Sequence, residues 1–148
     1  MLVQTILKSK AGAKAADDVV TVPPGATLLE AAEVLASRRI GAVVVSGDGL
    51  HAQGILSERD IVRELGRRGV ACMADRVDTV MTAKVIGCAV GDRAHEVLQK
   101  MTDGRFRHMP VMEGTELRGI ISIGDVVKAR LSELAMEKDA LEGMIKGF

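Results

Sequence analysis

Two short stretches carry the residue types from which a binding site can be built. Ser57-Glu58-Arg59-Asp60 and Ser122-Ile123-Gly124-Asp125 each set a hydroxyl three residues ahead of a carboxylate, where an apolar strand-like run gives way to a helical pattern. A carboxylate held at a helix start can accept both neighbouring hydroxyls of a ribose, as the acidic residue of dinucleotide-binding folds does. The serine hydroxyl and the free N–H groups of the first helical turn suit an anionic phosphate. The same spacing is that of a capping box, in which each side chain satisfies a backbone donor of its own helix. Geometry separates the two readings: a capping carboxylate folds back onto its helix, whereas a ribose-binding one faces a cleft. Cations stand near both stretches. Arg59 adds charge in the first, Arg107 with His108 in the second, and Arg39 and Arg105 precede apolar strands that can reach the same clefts.

Other chemistries lack their residues. Cys72 and Cys88 fit neither a Cys-x-x-Cys motif nor a disulfide framework, and read as packing. His51, His95 and His108 are scattered, which argues against zinc and predicts no metal or required cofactor. There is no nucleophile elbow or Walker loop, so no enzyme is expected. Twenty basic residues balance twenty acidic ones, and aromatics are limited to Phe106 and Phe148. Without a net field or stacking platforms, neither nucleic acid nor an anionic membrane is an expected partner. The opening MLVQTILKSK lacks the pattern of a secretory signal, and no run approaches the roughly 18 apolar residues of a membrane span. The expected location is the cytoplasm.

The elements that must position these residues occur twice. GILSERDIVREL (Gly54 to Leu65) aligns with GIISIGDVVKAR (Gly119 to Arg130), and PPGATLLEAAEVL (Pro23 to Leu35) with AVGDRAHEVLQKM (Ala89 to Met101). The copies are offset by 66 residues up to a hairpin (Val45 over Val111) and by 65 after it (Gly54 over Gly119). Each begins with a β-branched run, Val19 to Val22 or Val85-Ile86. A helix follows, with Leu28, Ala31, Ala32 and Leu35, or Ala94, Val97, Leu98 and Met101, on one face at helical spacing. Two strands around a polar turn come next, Ala42–Val45 with Gln53–Leu56 and His108–Met112 with Arg118–Ser122, and a second helix after each Ser. The order is β-α-β-β-α, twice, in an α+β fold. The expected organisation is an N-terminal segment 1–16, a first repeat 17–69, a linker 70–78, a second repeat 79–135 and a helical tail 136–148; the stretch after Leu131 reads as helical, with a narrow stripe of Leu134, Leu141 and Ile145.

This pattern resembles the cystathionine-β-synthase (CBS) domain pair, and in particular small stand-alone bacterial proteins of two repeats. The resemblance rests on the doubled Gly-Ile-x-Ser-x-x-Asp, on Val80-Met81-Thr82 and on Arg105-Phe106-Arg107-His108-Met109-Pro110-Val111. It implies two repeats packed sheet to sheet about a pseudo-twofold axis, two clefts that take AMP, ADP, ATP or NAD(H), with S-adenosylmethionine less favoured, and homodimers shaped as discs of four repeats. By the resemblance, the first cleft is made by Thr21, Arg39, Ile40, Gly41, Ala42, Ser57, Arg59 and Asp60. The second is made by Val85, Arg105, Phe106, Arg107, His108, Met109, Pro110, Ser122 and Asp125. Adenine would lie against Ile40, Gly41 and Ala42, or against Phe106, Met109 and Pro110. The implied function is a nucleotide sensor acting on an unidentified regulated protein; the alternative is an interaction scaffold with vestigial clefts. The copies differ at these positions: Gly124 stands for Arg59, Gly41-Ala42 for Arg107-His108, and Val44 for Pro110. Unequal sites are therefore expected.

Overall fold

Two periodicities alternate along the chain, and each switch between them marks an element boundary. The computed structural model describes residues 1–11 and 19–146. Helix α1 (Val3–Ala11) precedes the first repeat, which is built from β1 (Thr21–Val22), α2 (Leu28–Arg38), β2 (Ala42–Val45), β3 (Gly54–Ser57) and α3 (Glu58–Arg68). The second repeat follows as β4 (Cys88–Ala89), α4 (Ala94–Gly104), β5 (His108–Glu113), β6 (Glu116–Ser122) and α5 (Ile123–Ile145). Each repeat forms its own three-stranded sheet, β1-β2-β3 and β4-β5-β6. In each, the first strand runs parallel to the middle one and the third antiparallel to it.

The middle strand explains why the repeats come as a pair. Ala42, Val43, Val44 and Val45 are all buried, so β2 shows no polar alternation and both of its faces are covered. Val43 and Val45 join Leu28, Leu35, Leu56 and Ile61 in the core under α2 and α3. Met109 and Val111 do the same with Val97, Met101, Ile121 and Val126 under α4 and α5. Ala42 and Val44, and Pro110 on β5, point to the opposite side and are buried there. That side is where the repeats meet: the Leu117 N–H on β6 donates to the Leu50 carbonyl (2.7 Å), and the His108 ring lies against Gly41.

Four features depart from the sequence expectations. The strand expected at Val85-Ile86 forms at Cys88–Ala89, because pairing follows the partner strand: Val22 opposes Val45 and Cys88 opposes Val111. The linker is not passive. Val70–Ala74 and Val77–Thr79 form 3-10 turns that bury Cys72 and Val77 in the first core, and Thr82 bridges the outer edge of β3 at Ile55. The tail is not separate, because α5 runs unbroken from Ile123 to Ile145; residues 147 and 148 of the expected tail lie outside the described residues. The N-terminal segment contributes Val3 and Ile6, an i, i+3 pair, to the second core. The last part of that segment, 12–16, also lies outside the described residues.

The one-residue change in offset has a visible source in the hairpins. In the first repeat the turn is organised by Asp48, whose carboxylate accepts from the Leu50 and His51 N–H groups (2.8 Å each) and meets the His51 ring at 2.6 Å. These bonds, the ring's first, hold the Asp48 carboxyl well below the usual carboxylate range. In the second repeat the strands run on to a tight turn at Gly114, with a bulge where Val111 passes to Met112.

Gly54 opens β3 and its counterpart Gly119 lies within β6, and a large side chain lies across each. A Cβ on Gly54 would fall 2.3 Å from the Met81 sulfur and 3.0 Å from the Thr82 carbonyl; on Gly119 it would meet only the end of Leu7, at 2.8 Å. Gly54→Ala is expected to cost about 1–3 kcal/mol, since backbone must move, and Gly119→Ala less. Urea denaturation of the two variants in parallel checks that order.

Candidate ligand-binding clefts

The serine–aspartate pairs sit where the returning strand of each repeat turns into its last helix. Ser57 is the N-cap of α3: its Oγ accepts from the Asp60 N–H (3.2 Å), and its own N–H donates to Asp60 Oδ2 (2.9 Å). Ser122 and Asp125 repeat this at the start of α5, at 3.2 and 2.9 Å. Both capping boxes are therefore formed, and each carboxylate turns toward its own helix. The cap uses one oxygen. Asp60 Oδ2 also accepts from Ser57 Oγ (3.0 Å), while Oδ1 is held by Arg63 (3.2 Å), whose side chain is largely exposed. An ionised carboxylate offers about four lone-pair positions, so capping does not exhaust its capacity.

The junction is closed from the other side by the loop before the middle strand. The Glu58 N–H donates to the Gly41 carbonyl (2.9 Å), and the Ile123 N–H to the Arg107 carbonyl (2.8 Å), so Gly41 and Arg107 hold equivalent positions. Two residues upstream of each lies an arginine in left-handed backbone, Arg39 at φ 54° and Arg105 at φ 57°. Each ends its helix, with its N–H bonded to the carbonyl of Leu35 or Met101. Glycine is the usual residue there, because a Cβ makes that conformation cost about 1–2 kcal/mol. Both guanidinium groups are carried by exposed residues.

Around these anchors the expected site residues divide. Thr21, Ile40, Gly41, Ser57 and Asp60 are half-buried around the first junction, and Arg59 is exposed on the first turn of α3. Ala42 is buried. In the second half, Ser122 and Asp125 are half-buried and Arg105 and Arg107 exposed. Met109 is placed differently from the expectation: it is fully buried in the second core, so it is a packing residue rather than an adenine contact. Its counterpart Val43 would have signalled this. Phe106 folds over Gly104, where a Cβ would fall 2.1 Å from its ring, and packs on the core. Val85 is half-buried ahead of β4; the true counterpart of Thr21 is Gly87, which approaches the Pro110 carbonyl too closely for a Cβ to fit easily (3.0 Å). His108 belongs in sequence to the second site but lies against Gly41 of the first, where the Glu58 carboxylate also approaches. Sequence reasoning missed Glu58, whose alignment with Ile123 makes it an acidic group peculiar to the first junction.

A shallow groove of about 680 Å³ lies elsewhere, lined by Glu64, Arg67, Arg68, Ala74, Asp75, Arg76, Thr79 and Val80. Its arginines are engaged: Arg67 and Arg68 with Glu64, Arg68 also with Asp75, and Arg76 with Asp78. Among the described residues no group of His, Cys, Asp and Glu is arranged to hold a metal ion, and no helix is long and apolar enough to cross a membrane. Both thiols are buried, and burial together with the nearby Asp92 charge pushes Cys88 up to about 12.

Two pseudo-symmetric β-α-β-β-α units, each with a capped serine–aspartate junction beside a left-handed arginine, define a paired-repeat α+β module. The chain belongs to the CBS-domain family, whose pattern matches residues 14–67 and 77–132. A CBS-domain protein of Agrobacterium tumefaciens has the same fold, with a TM-score of 0.80 and 44% identity over 88% of this chain and 99% of that one. A CBS-domain protein of Pyrobaculum aerophilum, solved in complex with AMP, matches with a TM-score of 0.75 and 27% identity over 92% of this chain and 99% of its own. Among curated sequences, the mitochondrial CBS domain-containing protein CBSX3 of Arabidopsis thaliana is 33% identical over 82% of this chain, which spans 61% of that protein's length.

Two outcomes follow from this geometry. Arg39→Gly and Arg105→Gly should each raise stability by about 1 kcal/mol by relieving the left-handed backbone. Thermal unfolding reads this, and a loss in both would mean that the arginine side chains supply packing. Neither cysteine should react with a thiol reagent in the native protein, and both should react on unfolding.

Proposed function

We propose that the chain is a non-catalytic regulatory module that binds an adenine nucleotide at one or both serine–aspartate junctions. AMP, ADP, ATP and NAD(H) are favoured over S-adenosylmethionine. Occupancy alters the angle between the repeats or the pairing of two copies, and an unidentified protein reads the change. The observation that carries this reading is the doubled constellation: a carboxylate at the start of the last helix, the positive end of that helix, and an arginine preceding the middle strand. The AMP complex of the Pyrobaculum relative supports the choice of ligand class. The ribose diol would take Asp60 Oδ1 from Arg63 while Oδ2 stays on the Ser57 backbone. Glu58 and the His108 ring at the first junction, and the absence of an Arg59 counterpart at the second, make the two sites unequal. Signalling requires the ligand to favour one arrangement over the other; equal affinity for both would transmit nothing.

A second reading, an interaction scaffold with vestigial clefts, draws on specific observations. Phe106 is folded onto Gly104, His108 sits at Gly41, and both carboxylates cap their own helices. Under it, adenine compounds leave the melting temperature unchanged, whereas a bound ligand raises it.

Calorimetry with AMP, ATP and NADH on Asp60→Asn and Asp125→Asn tests the first reading. Asparagine keeps an acceptor for the capping N–H, so stability should change little. Hydrogen bonds to a charged group contribute about 1.5–3 kcal/mol. Affinity at the altered junction should therefore fall by roughly tenfold to a hundredfold. An Asp60→Asn/Asp125→Asn protein that binds as the parent does would overturn the assignment.

A further inference from the structure

We propose that Glu58 and His108, one from each repeat, read the edge of the base at the first junction and select adenine over 6-oxopurines. The inference rests on the nucleotide reading and adds the residues that choose the base.

The two side chains converge on one open point. A Cβ placed on Gly41 would lie 2.9 Å from His108 Nε2 and 3.6 Å from Glu58 Oε1. A side chain at residue 41 would close the space that both polar atoms border. Local bonding puts that space beside the proposed ribose site. The Glu58 N–H donates to the Gly41 carbonyl (2.9 Å), and Asp60 follows two residues later in the first turn of α3. With the ribose diol on Asp60, the base is carried one glycosidic bond away, within reach of residue 41. Ile40 and Gly41 are half-buried there, so the base meets an apolar wall with two polar atoms at its rim. Small-molecule sites are commonly made this way, with a few polar groups fixing orientation on an apolar surface.

The chemistry of the two atoms matches adenine. An ionised carboxylate only accepts hydrogen bonds, and an imidazole Nε2 bearing its proton donates one. Adenine sets a donor, its 6-amino group, beside an acceptor ring nitrogen, whereas guanine sets two acceptors, O6 and N7, on that edge. Glu58 accepts from the amino group and His108 donates to the ring nitrogen. A 6-oxopurine turns its carbonyl oxygen toward the carboxylate, which leaves two acceptors with no hydrogen between them. A site built to bond one polar group rejects an analogue that lacks it, because its own group is left unpaired. The second junction carries different residues: Ile123 stands for Glu58, Ala42 for His108 and Arg107 for Gly41. Those positions offer no acceptor–donor pair to a base. At the first junction a base held by both residues ties one repeat to the other. This is a differential contact of the kind that a ligand-driven change of angle requires.

Calorimetry with AMP and IMP on the full chain tests the proposal. In Asp125→Asn, where the first junction is the intact one, AMP should bind about tenfold or more tightly than IMP, the size of one charged hydrogen bond. Adding Glu58→Ile, which copies the second repeat, or His108→Ala should remove most of that preference. Glu58→Gln keeps an acceptor and gains a donor, so it should bind IMP better than the parent does. In Asp60→Asn, where the second junction is the intact one, Glu58→Ile should leave the AMP to IMP ratio unchanged. Glu58 is exposed, so its variants should keep the parent's melting temperature and circular dichroism spectrum. Equal affinities for AMP and IMP at the first junction, or a preference that survives Glu58→Ile, overturn the base assignment and leave the nucleotide reading standing. A parent that binds neither compound overturns the nucleotide reading, and this one with it.

Discussion

Where each returning strand becomes the closing helix, backbone donors lose their strand partners before gaining helical ones, and one serine and one aspartate satisfy them. Ser57 with Asp60 and Ser122 with Asp125 make that exchange with matching distances. The junction is fixed further by the carbonyls of Gly41 and Arg107, which tie the helix start to the chain entering the middle strand. Three chain segments thus converge at one point in each repeat. A ligand placed there touches the strand, the helix and the preceding loop together, and this is how binding could shift one repeat against the other. The proposed use of the carboxylate adds to its structural use, because capping engages only part of its lone-pair capacity.

Pseudo-symmetry gives the two repeats the same framework and different surroundings. Burial of β2 on both faces requires a second sheet, so neither repeat is complete alone. The first repeat takes extra cover from the turn segment at Cys72 and Val77, and the second from α1 at Val3 and Ile6. The cover comes from different parts of the chain but does the same work, closing an apolar surface that a sheet and two helices leave open. Departures from symmetry then concentrate at the junctions, in Glu58, Arg59 and His108, and in the length of α5.

Much of this was legible in the residue pattern. The element order, the middle strands and both helix starts follow from alternation, helical spacing and the Ser-x-x-Asp signal, which all report local physics. What was less legible depended on pairing. Val85-Ile86 has the composition of a strand, yet register with β5 selects Cys88–Ala89. Met109 resembles a cleft residue by its neighbours but faces the core because strand alternation places it with Val111. Cys72, in the short apolar run Val70–Ala74, and Val77, between Arg76 and Asp78, gave no periodic signal, and their burial depends on contacts distant in sequence. The capping and ribose readings of Asp60 and Asp125 predict the same residues, so spacing could not separate them.

The most direct measurement is a crystal structure of the protein with AMP. The account predicts nucleotide at a serine–aspartate junction, with both ribose hydroxyls within hydrogen-bonding distance of Asp60 or Asp125 and the serine N–H still on that carboxylate. Nucleotide bound away from both junctions, or clefts left empty at saturating AMP with both aspartates turned only to their helices, would contradict it.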